Sequence, residues 1–127
     1  MAILIDTNII IRFLVGDHEE HLIESTRIFE EIESGKIEVE ILDVVLMETL
    51  FVLTKFYGLP KAEVVLDLKA ILAMQGVINS NKVILFDTLS LFADKNVDFV
   101  DALICTKSKL QGYDWLSFDR DISKICD

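Results

Sequence analysis

The sequence predicts an α/β protein, a three-layer α/β/α sandwich with a parallel sheet at its centre. Short apolar runs alternate with longer runs of helical period, the pattern of parallel strands joined by crossover helices. Two of the short runs, AILI (2–5) and DWLSF (114–118), end directly at an aspartate, Asp6 and Asp119. The composition is 52% hydrophobic and 27% charged over 127 residues. That suits one globular domain, 1–127, with a core large enough to need no staples.

Taken in order, AILI is short, apolar and sharply ended, and reads as a buried strand. NIIIRFLVG follows with a helical rhythm and stops at Gly16. HEEHLIESTRIFEEIESG (18–35) sets Leu22, Ile23, Ile28, Phe29 and Ile32 along one stripe, an amphipathic helix ending at Gly35. IEVEIL (37–42) alternates and reads as a second strand. Asp43 is placed to cap VVLMETLFVLTKFYG (44–58), apolar nearly all round and therefore expected to be deeply buried. PKAEVVLDLKAILAMQG (60–76) opens with the only proline, in the first turn, and ends at glycine. VIN and KVI (77–84) offer a third, weak strand. FDTLSLFADKN (86–96) and DFVDALICTKSKLQG (98–112) are two more helices, DWLSF is the last strand, and DISKICD is a short tail.

Several function classes are disfavoured. No apolar run reaches the roughly 18 residues of a membrane helix, and the N-terminus lacks the basic region of a signal peptide. Cys105 and Cys126 are too few for a disulfide framework; they fit plain packing in a reducing cytoplasm. A mean hydropathy of +0.45 is high for a soluble monomer and points to a surface covered by a partner. Twelve basic against 22 acidic residues give a net charge of −10, which repels nucleic acid at long range. Nine of the acids lie between Asp17 and Glu40, opposed by Arg27 and Lys36 alone, and read as a solvated face.

The other acids are harder to dismiss. In an open parallel sheet, ligands bind outside the carboxyl ends of the strands. Asp6 and Asp119 follow the first and last strands, and right-handed crossovers bring such ends together. Singly, each is also an ordinary turn aspartate. Glu48 sits in VVLMETLFVL, where a glutamate on a buried helix is costly unless paired or bound to metal. The nearest base in sequence, Lys55, is seven residues away. Asp98 and Asp101 open a helix: one as N-cap, the other beside the positive end of the dipole, both on one face.

Asp6, Glu48, Asp101 and Asp119 supply oxygen ligands only, which point to Mg²⁺ or Mn²⁺ rather than zinc. Such a site suits phosphodiester hydrolysis, in which a cation lowers the pKa of the attacking water and a second stabilises the leaving oxygen. It also answers the charge objection in part: without acids 6, 48, 98, 101 and 119 the balance is 12 bases against 17 acids. Asn8 is spaced to hold a carboxylate or a water of the metal, and Arg12, four residues on, to meet the scissile phosphate. Ser117 and Thr7 fit either a supporting role or backbone hydrogen bonding at strand ends. His18 and His21 lack a third ligand at zinc-like spacing. Asp121 reads as a cap for the tail, and Arg120 and Lys124 as bases flanking RNA or as solvated charges.

At this point the chain resembles a PIN domain, and within that family the toxin of a VapBC-type toxin–antitoxin pair. ILIDTNIIIRFLVGD is similar to the family's opening, VVLMETLFVLTKFYGL to its central helix, VDFVDALICTKSKLQG to its third acidic motif and LSFDRDISKI to its closing one. The resemblance spans nearly the whole chain in the correct order. It implies a PIN-like sandwich and a divalent-metal ribonuclease, with Asp6, Glu48, Asp101 and Asp119 as the catalytic, metal-binding acids and Asn8 and Ser117 supporting them. It further implies a homodimer held inactive by a cognate antitoxin in an apolar groove. Two departures stand out. The chain stops eight residues after Asp119, so a final edge strand is expected to be missing or truncated, and TKSKLQ replaces an alanine-rich stretch.

Three other classes fit parts of the pattern. A haloacid-dehalogenase-like phosphatase also places a nucleophilic aspartate at a first strand end, but wants a second where Asn8 stands, and a cap domain. A phosphorylated receiver expects its acceptor midway along the chain and a lysine at a late strand end. A non-catalytic acidic protein-binding module would use the same carboxylates as caps and turns, and predicts no metal affinity.

Overall fold

The computed structural model describes residues 1–126; the last residue of the DISKICD tail lies outside the described residues. The chain divides into two compact units, Met1–Ser80 and Asn81–Asp127. The first holds β1 (Ile3–Leu4), α1 (Thr7–Val15), α2 (Glu19–Ser34), β2 (Val39–Glu40), α3 (Asp43–Phe51) and α4 (Lys61–Leu72). The second holds α5 (Lys82–Asp94), α6 (Phe99–Gln111) and α7 (Asp121–Cys126).

The predicted parallel pairing is present but short. β1 pairs with β2, Ile3 opposite Val39 and Leu4 opposite Glu40. Among the described residues, a single parallel bridge from Val39 to Val77 is all that remains of the third strand. The free side of β2 is nevertheless satisfied. Val39 N donates to Gly76 O at 2.7 Å and Ile78 N to Val39 O at 2.9 Å. Asn79 then takes over: Ile41 N donates to its Oδ1 at 2.9 Å, and its Nδ2 donates to Ile41 O at 2.6 Å. A side-chain amide copies the donor–acceptor pair of a peptide, so one buried residue performs the pairing expected of a strand.

Gly76 allows this turn for want of a Cβ. Such an atom would stand 2.3 Å from Ile37 O and 2.5 Å from Ile32 O, both backbone atoms that cannot swing aside. Gly76→Ala is therefore expected to cost about 3 kcal/mol, at the upper end of overpacking. A urea melt with an unchanged m-value checks it.

The first helices form as their periodicity predicts. α1 buries Ile10 and Ile11, and α2 buries Phe29 and Ile32, with Phe13 stacked on Phe29 at a centroid distance of 4.4 Å. The cap at Gly35 has φ +80°, a left-handed conformation that glycine adopts without strain. His18 caps α2, its Nδ1 accepting from His21 N at 3.2 Å, a structural role for the histidine pair.

Several expectations need correction. Ile23 lies off the packed stripe of α2 and is exposed. β1 is not a buried strand: Ile3 and Leu4 are 49% and 63% exposed, and only Ile5 is covered. α3 is apolar nearly all round but buries one stripe, Leu46, Thr49 and Leu50, which Leu53 continues beyond its end, while Val44 and Phe51 face outward. Asp43 is its first residue rather than its cap, which falls at Leu42 and carries no side-chain bond. The helix runs on as a wider π turn, Val52–Phe56, with Tyr57 N donating to Val52 O.

KVI belongs to α5, because Leu85 and Leu89 at helical spacing are both fully buried and Thr88 Oγ1 bonds back to Ile84 O. DWLSF is not a strand: residues 112–117 have no regular structure. Ser117 Oγ accepts from Asp119 N at 2.9 Å, and Asp119 Oδ1 accepts from Asp121 N at 3.0 Å. These local bonds curl the backbone and compete with ladder pairing. Cys105 and Cys126 form a disulfide rather than merely packing. No helix among the described residues is long and apolar enough to cross a membrane.

Candidate functional site

In the first unit the two predicted acids are tied together through Thr7. The chain leaves β1 at Asp6, whose extended backbone caps α1 and whose Oδ1 accepts from Thr7 N at 2.7 Å. Thr7 is buried, and its hydroxyl donates to Glu48 Oε1. Glu48 is thus not the desolvated acid its apolar neighbours suggest; it lies on the exposed side of α3. Its carboxylate is aimed by a hydrogen bond, not by burial. A donor that fixes one oxygen leaves the other free for a cation, the role such outer contacts play around metal ligands.

Thr7→Val keeps the shape and removes the donor. It is expected to lower Mn²⁺ affinity about tenfold, read by calorimetric titration of the folded variant.

Asn8 and Arg12, one helical turn apart on α1, line a cleft of about 280 Å³ with Ile9, His21, Glu24 and Ser25. Arg12 is not free within it: Nη1 pairs with Asp17 Oδ1 at 3.1 Å, while Asp17 Oδ2 accepts from Tyr57 Oη at 3.1 Å. An arginine held on an acid in this way is positioned by it.

In the second unit the acids come from one helix start and the next. Asp101 lies in the first turn of α6, with Asp98 at the cap position making no side-chain cap bond. Asp119 precedes α7 and Asp121 is its first residue. One carboxylate oxygen from each of Asp101, Asp119 and Asp121 lies within 4.8 Å of the other two. The desolvation of Asp101 raises its pKa above the usual 3.8, and the charges of Asp119, Asp98 and Asp121 raise it further. Asp121, read from sequence as a neighbour of these acids and more simply as a cap for the tail, lies in the cluster itself. The signal was available in its spacing from Asp119, but a pair two residues apart has no common face until the backbone between them turns. Ser117 supplies that turn by accepting from Asp119 N, so its contribution is to the backbone.

The donor set fits a hard cation. Oxygens on opposite sides of Mg²⁺ lie about 4.2 Å apart and neighbouring ones about 3 Å, so three oxygens within 4.8 Å would have to draw together to share one ion, with at least two of the three separations near 3 Å. Carboxylates that repel one another are relieved by a divalent charge.

A parallel β pair feeding helices, with an oxygen-only carboxylate cluster at the starts of α6 and α7, defines an acidic α/β protein. The sequence profile of the PIN domain matches residues 3–127, and the chain belongs to that family. PIN domains are generally nucleases and typically bind divalent metals. No curated protein and no solved structure shows a significant match to the chain.

Proposed function

We propose that the protein is a divalent-metal-dependent endoribonuclease, the toxin of a VapBC-type toxin–antitoxin pair. The observation that carries the metal reading is the approach of Asp101, Asp119 and Asp121 oxygens to within 4.8 Å in a PIN-family chain. Asp6 and Glu48 in the first unit and Asp101 and Asp119 in the second are the proposed ligands of Mg²⁺ or Mn²⁺, with Asp121 added to them. When bound, the cation supplies positive charge for the phosphodiester and lowers the pKa of the attacking water. The chain's own residues do the rest. Thr7 orients Glu48, Ser117 sets the backbone of Asp119, and Asp98 adds negative potential beside Asp101. Asn8 and Arg12 bind the RNA backbone in their cleft, with Arg12 passing from Asp17 to a phosphate.

The proposal extends to the whole chain as one PIN domain, a three-layer α/β/α sandwich acting in the cytoplasm as a homodimer. A cognate antitoxin would cover exposed apolar side chains such as Phe51, Phe56 and Leu59. With a net charge of −10 the protein repels RNA, so cleavage should depend on the cation for approach as well as for chemistry.

A labelled pool of single-stranded RNA, incubated with the antitoxin-free protein and Mg²⁺, Mn²⁺ or EDTA, tests the reading beside Asp6→Asn. Metal-dependent cutting that is lost in the folded mutant supports it. An absence of both cutting and metal binding would leave the acidic protein-binding module as the better account.

A further inference from the structure

Cys105 and Cys126 have no part in the proposed hydrolysis, yet they are joined across the segment that carries its acids. Cys105 lies on α6 one turn beyond Asp101 and is fully buried. Cys126 closes α7, the helix that begins at Asp121 and follows directly on Asp119. Their Cα atoms are 5.4 Å apart, within the roughly 4.4–6.8 Å that a disulfide spans without backbone movement. The link therefore closes a loop with a sequence separation of 21 that contains Asp119 and Asp121 and is anchored on the helix of Asp101.

α7 packs against α6, but the stretch that leads into it lacks regular structure. Residues 112–117 are irregular, and α7 is six residues long with Ile122 as its buried side chain. Asp119 and Asp121 are exposed and repel Asp101. A covalent tie across an irregular stretch removes conformations in which the acids drift apart.

We infer that Cys105 and Cys126 form a reversible redox clasp that sets the divalent-cation affinity of the Asp101, Asp119 and Asp121 cluster. Oxidised, the clasp holds α7 against α6 with the three carboxylates gathered; reduced, it releases α7 and the cluster loosens. The oxidant is a small-molecule disulfide of the glutathione type. Half-buried Cys126 exchanges first and forms a mixed disulfide, releasing one small thiol; Cys105 then attacks the Cys126 sulfur and displaces the second. Two electrons pass from the protein sulfurs to the small disulfide, and the two protons leave on the thiols it becomes. In a reducing cytoplasm a disulfide of this kind is transient and sensing rather than structural. The inference rests on the metal-binding reading of the second unit's acids, not on the choice of RNA as substrate.

The test uses the full chain, equilibrated with dithiothreitol or with oxidised glutathione and then desalted. Thiol titration should count two free thiols in the first sample and none in the second. Mn²⁺ titration by calorimetry should show affinity about tenfold weaker in the reduced protein, the scale of a modest coupling between sites. Hydrogen exchange should show faster exchange of the α7 amides on reduction. Cys126→Ala, at a half-buried position, should match the reduced protein in both treatments; Cys105 is too buried to serve as the first variant. Failure of the thiols to pair, or Mn²⁺ affinity that is equal in the two redox states, would overturn the clasp while leaving the nuclease reading intact. No Mn²⁺ binding in either state would overturn both.

Discussion

Asp101→Asn is expected to remove metal-dependent RNA cleavage, by about 10³-fold or more, while the protein stays folded and becomes slightly more stable without metal. The two effects share one origin. Asp101 is the least exposed member of its cluster and faces Asp119, Asp98 and Asp121. An amide in its place keeps the shape but gives up a charged ligand, and loss of charge at a cation site costs transition-state stabilisation of this order. The same change ends the repulsion, so the metal-free melting point should rise by about 1–2 °C, the scale of exposed charge pairs in a domain of this size.

The pH dependence has a definite sign. Because folding raises the pKa of Asp101 above 3.8, the folded chain holds that proton more tightly than the unfolded one. The resulting stabilisation is full below the unfolded value and is lost as the pH rises through the higher folded value. Wild-type protein without metal should therefore gain stability relative to Asp101→Asn as the pH falls through that window. Mn²⁺ affinity should weaken over the same range, since proton and cation compete for one carboxylate. Parallel melts of the two proteins across acidic pH, with and without Mn²⁺, check both statements. Equal melting points at every pH would show that the cluster's repulsion is not felt.

Asn79→Ala should destabilise the first unit by about 3–4 kcal/mol. Asn79 is 8% exposed and serves both polar groups of buried Ile41, accepting from its N–H and donating to its carbonyl. Truncation leaves the two without their partner in a region with little access to water. Each such loss costs about 1–3 kcal/mol, against a total stability of about 5–15 kcal/mol for a natural domain. Urea denaturation measures the effect. Asn79→Asp separates the two bonds: its carboxylate still accepts from Ile41 N but faces Ile41 O with no donor, so it should also destabilise at neutral pH. If Asn79→Ala costs less than about 1 kcal/mol, water replaces the amide and the side chain is not the strand substitute described.

Much of this was legible locally. α1, α2 and α6 lie within a residue or two of where their apolar period, first-turn residues and terminal glycines place them, because caps and periodicity act within one or two turns of chain. Asp6 at the junction of β1 and α1 was readable for the same reason, as was Asp101 in the first turn of α6.

The remainder depended on contacts far apart in sequence. Nothing near Glu48 says that it lies on the exposed side of its helix; which stripe of an all-apolar helix is covered depends on its neighbours. Nothing in LIDTN says that the Thr7 hydroxyl meets a carboxylate 41 residues away. The third strand failed because Asn79 pairs through its side chain, and the last because Ser117 and Asp119 bond to the backbone just ahead of them.

By itself, then, the sequence determined α1, α2 and α6, the parallel pair and the oxygen-only character of the candidate ligands, since each follows from residue type and short-range spacing. Only the tertiary structure decided that Thr7 aims Glu48, that Asp121 joins Asp101 and Asp119, and that Cys105 meets Cys126. Those are juxtapositions across turns and between elements, set by packing, and no local rule of the chain carries them.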